Sequence, residues 1–326
     1  MSARACRNRF DCATGGDNVR ATRKGQDTET DGAVSMHMVF HLGVHCTDGD
    51  RMLKTLLNNR TPLLARQTEI VTPARYRGIF EEALMALNGG MATPDMEQIM
   101  LDAVLEHDDT QRVVLSNSGF LGAPGRVAGR GVMYPQIASR ALALANLFPS
   151  IEAEFFLALR NPGPLLTEIS PLVAGGNYQA LMQGITPLDL RWNDAIRRLL
   201  QSLRGRRLVV WCHEDVPMIW PEVVRLAADL PADQPLAGSL VYMHELLGDA
   251  GLPHLRAALG ERDQLSIADR RRIFAEALDQ HALPGALEQE INLPGWDQAL
   301  VDEVTATYYA DVAEIAALPG VEFISA

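Results

Sequence analysis

From Met38 onward, short apolar runs rich in β-branched and aromatic residues alternate with longer stretches of helical periodicity. Few folds accommodate that alternation. Strands joined through a helix run parallel, and a parallel sheet is covered on both faces, so its strands read as continuous apolar runs. Four runs have this character: Met38–Leu42, Arg112–Ser116, Ala153–Leu159 and Arg207–Cys212, with Val321–Ile324 as a terminal candidate. Helical patterns are expected over Asp50–Asn59, Arg75–Leu87, Pro94–Glu106, Tyr134–Leu147, Asp189–Leu203 and Trp220–Asp229. The expectation is an α/β protein with a parallel sheet flanked by helices.

After about residue 240 the strand signals largely stop. Ser266–His281 and Trp296–Leu318 read as amphipathic helices, a C-terminal helical extension that forms either a small subdomain or a cap on the sheet. At the other end, residues 1–35 mix Arg4, Arg7, Arg9, Arg20, Arg23 and Lys24 with Asp11, Asp17, Asp27, Glu29 and Asp31 and carry few large apolar side chains. Such a segment buries too little to offset its ordering entropy. The pattern implies a disordered extension over 1–35 and a domain over 36–326, and a start at Met36 or Met38 fits it equally.

Composition narrows the partners. A net charge of −12 opposes general affinity for nucleic acid, while leaving room for a local patch that takes a small anion. The cysteines at 6, 12, 46 and 212 are too scattered for a disulfide scaffold and contain no CxxC pair. Reduced thiols and a cytoplasmic location are expected, with no apolar run of the roughly 18–20 residues that a bilayer span needs.

The segment of greatest chemical interest is His41-Leu42-Gly43-Val44-His45-Cys46-Thr47-Asp48-Gly49-Asp50, where a strand enters a glycine-containing turn ahead of a helix. Backbone N–H groups of such a turn, with the positive end of the helix dipole, cradle anions. Its carboxylates oppose that role. The competing reading is that Asp48 or Asp50 caps the next helix.

This stretch resembles the strand-turn-helix of the sulfotransferase superfamily, in particular bacterial sulfotransferase-like proteins reading H-x-G-x-H-K-T-G-T-T, and Leu56–Arg60 is similar to the family's continuation. Val113–Phe120, Phe155–Pro162, Arg191-Trp192 and Arg207–Glu214 resemble later family segments in order, over about residues 38–215. The resemblance implies a P-loop-type fold and 3′-phosphoadenosine-5′-phosphosulfate as donor of a sulfuryl group to a hydroxyl acceptor. It further implies that Thr47, Asp48, Gly49, Asp50, Ser116 and Arg160 hold the donor and that a carboxylate acts as base; in an active protein of this sequence His45 or His213 would take that role. Departures are also legible. The family's turn lysine is Cys46, its glutamate two residues beyond Ser116 is Ser118, and Glu168 stands eight residues after Arg160 where the family has a serine. A catalytically inactive binding protein is therefore the alternative.

Arg160 has two readings of its own: a guanidinium clamping a phosphate, or a salt bridge to a helix carboxylate. His45 and His213 with Asp48 and Asp50 also suggest a metal-dependent hydrolase. Zinc-motif spacings are not met, so no metal is expected.

Overall fold

The computed structural model describes residues 3–5, 36–173, 175–260 and 265–326. Most of the N-terminal extension therefore lies outside the described residues; within it, Ala3–Ala5 pairs antiparallel with Gln289–Ile291. The centre of the molecule is a six-stranded sheet. Its strands are β1 (His37–His41), β2 (Thr68–Val71), β3 (Arg112–Ser116), β4 (Glu152–Leu159), β5 (Leu208–Cys212) and β6 (Val321–Ile324). They run parallel in the order β2-β3-β1-β4-β5-β6.

The strand pattern separates two cores by side-chain alternation. Met38 and Phe40 of β1, Val113 and Leu115 of β3, and Phe155 and Leu157 of β4 face helices Pro73–Leu87, Pro94–Val104, Ile137–Leu147, Trp192–Leu203 and Gln298–Ala316. Val39, Val114, Phe156 and Val209 face helices Arg51–Asn58, Val216–Ala228, Val241–Gly260 and Ile267–His281. The C-terminal helices are thus divided between the two faces. They cap the sheet, and β6 returns the chain to its edge beside β5.

Several elements escape the sequence pattern, helix Pro162–Ile169 among them, and in two the reason is plain. In β2 the apolar run is broken by Glu69, which is buried because its carboxylate accepts hydrogen bonds from the backbone N–H groups of Glu106 and His107 and from the Thr110 hydroxyl. In Val241–Gly260, Gly248 leaves helical geometry at φ 64°, and Pro253 lies beyond it. Two short helices meet there and obscure a single period.

Parallel register brings the carboxyl ends of the strands to one edge. His41 stands opposite Ser116 on one side and Phe156 on the other, and Leu159 stands opposite Cys212. Ligands of open parallel sheets bind outside this edge, where the strand order changes direction beside the first strand.

Candidate functional site

β1 ends at His41, and the following turn is shaped by left-handed residues. Gly43 has φ +53° and lies so close to the Asn117–Ser118 backbone that a Cβ would sit 2.7 Å from the Ser118 nitrogen. Only glycine fits. Cys46, Gly49 and Asp50 also take positive φ before helix Arg51–Asn58 begins.

The turn's polar groups are largely spoken for within the chain. The Thr47 hydroxyl donates to the Val44 carbonyl at 2.6 Å. Asp48 Oδ2 accepts from the Met52 backbone N–H at 3.0 Å, so the capping reading of this residue describes what is observed. Asp50, the residue ahead of the helix, makes no side-chain cap. Arg51 donates to the Asp48 carbonyl at 2.8 Å and forks onto Glu245 at 2.8 and 2.7 Å.

Arg160, at 2% exposure among the most buried charges of the protein, emerges from β4 beneath the turn. Its guanidinium donates to the Cys46 carbonyl and to both oxygens of Glu168, one of them at 2.8 Å. The helix-carboxylate pairing is therefore the one present, and Glu168 supplies it. The Arg160 carbonyl in turn accepts from the Trp192 indole at 2.7 Å, which fixes the strand end.

The sequence-derived histidines are placed differently from one another. His45 is buried and engaged at both ring nitrogens: Nε2 donates to the Gly122 carbonyl at 3.1 Å, leaving Nδ1 to accept from the Tyr134 hydroxyl at 3.0 Å. Burial pushes its pKa down, the Gly122 carbonyl opposing. It acts as a brace between the turn and two distant loops. His41 Nδ1 meets the Ser116 hydroxyl at 2.8 Å and lies 4.0 Å from Asp48, with its ring stacked on Trp211. His213 opens the loop after β5, its ring against Tyr242. Burial first, then the charges of Arg160 and Arg51, lowers its pKa to about 3, so it is neutral at ordinary pH. Next to it Glu214 accepts from the Asn161 N–H at 2.8 Å and the Tyr308 hydroxyl at 2.7 Å, tying the β4 and β5 ends together.

Several buried polar atoms here have no partner among the described residues: His41 Nε2, Arg160 Nε, His213 Nδ1 and the Tyr242 hydroxyl. Such orphans are uncommon, since a buried polar group without a partner costs about 1–3 kcal/mol. Their carriers surround the turn. Arg160 acts electrostatically on both His213 and Tyr242, Asp48 acts on both His41 and Tyr242, and the Arg51 guanidinium lies 5.1 Å from the Tyr242 ring.

The thiols are poor nucleophiles in this setting. Burial raises Cys46 despite the Arg160 charge, and it raises Cys212 further. Among the described residues, the histidines and aspartates around the turn form no cluster of metal-ligand geometry. The grouping that does, Glu69 with Glu106 and His107, has Glu106 already ion-paired to Arg60 and Arg75.

Tyr134 and Tyr242 were not legible as site residues, because they arrive from remote segments with nothing local to mark them. Glu168 carried a signal, its spacing from Arg160. No protein-family model matches this chain, and no curated protein matches it.

Proposed function

We propose that this chain is a sulfotransferase-like binding protein that takes a small, oxygen-rich ligand at the carboxyl edge of its sheet and does not transfer a sulfuryl group. The reading rests on one arrangement: the chain's own carboxylates occupy the positions that a nucleotide's phosphates would require. Asp48 sits on the N-terminal turn of the Arg51–Asn58 helix, and Glu168 fills the Arg160 fork. A phosphate entering there meets two negative charges and displaces two hydrogen-bonded partners, and each close carboxylate opposes it by roughly 1–4 kcal/mol.

Transfer chemistry lacks support on a second count. A cation at the turn would stabilise the moving group, and a carboxylate or free imidazole would accept the proton. Cys46 stands at the cation's place. Of the two candidate bases His45 has both nitrogens engaged, while His213 is neutral with Nδ1 unpartnered among the described residues, so it is the missing cation that weighs against transfer. What remains without a partner among the described residues is a set of buried donors. Arg160 Nε and the Tyr242 hydroxyl are unpartnered, and neutral His41, whose Nδ1 faces Ser116, has Nε2 free to carry its proton. These groups favour a neutral ligand with carbonyl or hydroxyl oxygens.

Calorimetric titration with 3′-phosphoadenosine-5′-phosphate tests the reading. Wild type should give no measurable heat, whereas the triple variant Asp48→Gly, Asp50→Thr, Glu168→Ser should bind. Micromolar binding by wild type, lost in Arg160→Ala, would overturn the proposal in favour of a donor site retained for transfer.

A further inference from the structure

A hollow lies away from the turn. It is a cleft of about 210 Å³ between helices Pro73–Leu87 and Ile137–Leu147, closed on its third side by the segment after β3. The Asn117–Gly122 segment separates the two places. Gly43 packs against its Asn117–Ser118 end, while Asn117, Gly119 and Phe120 line the cleft. The cleft is therefore a different place from the residues around Arg160, and the segment between them touches both, since the Gly122 carbonyl also accepts from His45.

Its floor is aromatic. Tyr76 packs on Phe80 with ring centres 4.9 Å apart and on Phe120 at 5.7 Å, and Phe120 meets Phe40 of the sheet at 5.9 Å. The floor is thus anchored in the main core, and Leu144 extends it. A rigid apolar wall of this kind is preformed for a planar ring.

Its walls are cationic. Arg77 comes from one helix and Arg140 from the other, and neither forms an ion pair among the described residues. Arg140 has only a 3.4 Å contact to the Gln136 side chain. Its guanidinium lies against Gly122, where a Cβ would come within 3.1 Å of Nε; with φ +99°, the glycine provides the space the guanidinium uses. Two unpaired arginines lining one apolar cleft stand out in a chain of net charge −12. Glu81 also lines the cleft and limits the ligand's charge: two cations against one carboxylate match a monoanion better than a phosphate dianion.

We propose that this cleft binds an aromatic monocarboxylate, its ring on Phe80 and Phe120 and its carboxylate held between Arg77 and Arg140. A planar fork that meets a carboxylate through two parallel hydrogen bonds gives geometric selection as well as attraction. The amide of the same acid has the same shape without the charge, and so isolates that term.

The test is calorimetric titration of the full chain with 3-phenylpropanoate and with 3-phenylpropanamide. The carboxylate should bind tighter by about tenfold, the scale of a charge-assisted contact at a partly open site. Arg140→Gln and Arg77→Gln should each weaken the carboxylate by about fivefold and leave the amide unchanged. Ala143→Trp, from a half-buried lining position, should abolish binding of both while circular dichroism stays that of wild type. Equal affinity for acid and amide, binding indifferent to both arginines, or no binding of either compound would each overturn the proposal.

Discussion

The two ends of the central sheet each bury an arginine, and they treat it differently. At the amino end, Arg112 of β3 uses every nitrogen: Nε donates to the Ala227 carbonyl at 2.8 Å, and the fork meets Glu154 of β4 at 3.1 and 3.0 Å. Arg207 reaches the same Glu154 at 2.8 Å and links it to Glu322 of β6. Charge stitches β3, β4 and β6 together across that end. At the carboxyl end, Arg160 has a solvent-facing partner in Glu168, a backbone carbonyl, and one nitrogen left without a partner. The first arrangement is complete in itself and the second is not, which is the physical distinction between a fastening and a site.

The largest effect should come from breaking the fastening. Glu154→Ala would leave Arg112 buried without its partner, a change that costs about 3–5 kcal/mol. Glu168→Ala should cost only about 1–2 kcal/mol, because Glu168 is 52% exposed and water can reach the guanidinium it leaves. Urea unfolding of both variants decides the matter. Equal losses would make the carboxyl-end pair as structural as the amino-end one.

How much of this contrast is legible in the sequence depends on where each partner lies. The five expected strands are short, largely apolar runs, and all five form, with ends shifted by at most about a residue as boundaries usually are. The central placement of β1 and β4 also fits their largely apolar character, which Glu154 interrupts in β4. β2 is hidden by Glu69, whose reason for burial is a loop some forty residues away. At the site, Arg160 is visible as a charge ending a buried strand, and Asp48 as a candidate cap. Tyr134, Tyr242 and the Arg112–Glu154 pair are invisible, since nothing local distinguishes a tertiary contact from a solvated side chain. Local periodicity reports burial, and it does not report who the partner is.

A second prediction uses pH at the carboxyl end, where two residues on either side of Glu214 should pull in opposite directions. His213 is lowered to about 3 from an ordinary value of 6.5, by burial first and then by Arg160 and Arg51. The unfolded chain binds more protons there between those values, so this contribution is complete above about pH 6.5 and fades as pH falls. Asp215 is raised from 3.8 to about 6 by burial and by the charge of Glu214. Here the folded state binds more protons, so this contribution is complete below about pH 4 and is lost as pH rises through 6. The two oppose each other between about pH 4 and 6. Thermal midpoints across that window should therefore fall less on acidification in His213→Asn than in wild type, and more in Asp215→Asn. Parallel profiles in the two variants would show that this end, too, is electrostatically closed.

The smallest effect is expected at the rim of the same end, where Arg51 forks onto Glu245. The geometry is good, with both contacts under 2.9 Å, yet the side chains are 30% and 46% exposed. An exposed pair of this kind contributes at most about 1 kcal/mol, because water and salt screen it and two flexible side chains must be held still. Arg51 also keeps other anchors when Glu245 is removed, namely the Asp48 carbonyl at 2.8 Å and the Tyr242 ring beneath it. Glu245→Ala should accordingly shift the urea-derived stability by less than about 1 kcal/mol at low salt, and the difference should shrink further in molar salt. The Glu154→Ala loss should persist under the same salt, since its partners are shielded from counterions. A salt-insensitive loss above about 2 kcal/mol for Glu245→Ala would mean that the rim is fastened as tightly as the amino end, because only a desolvated pair resists screening.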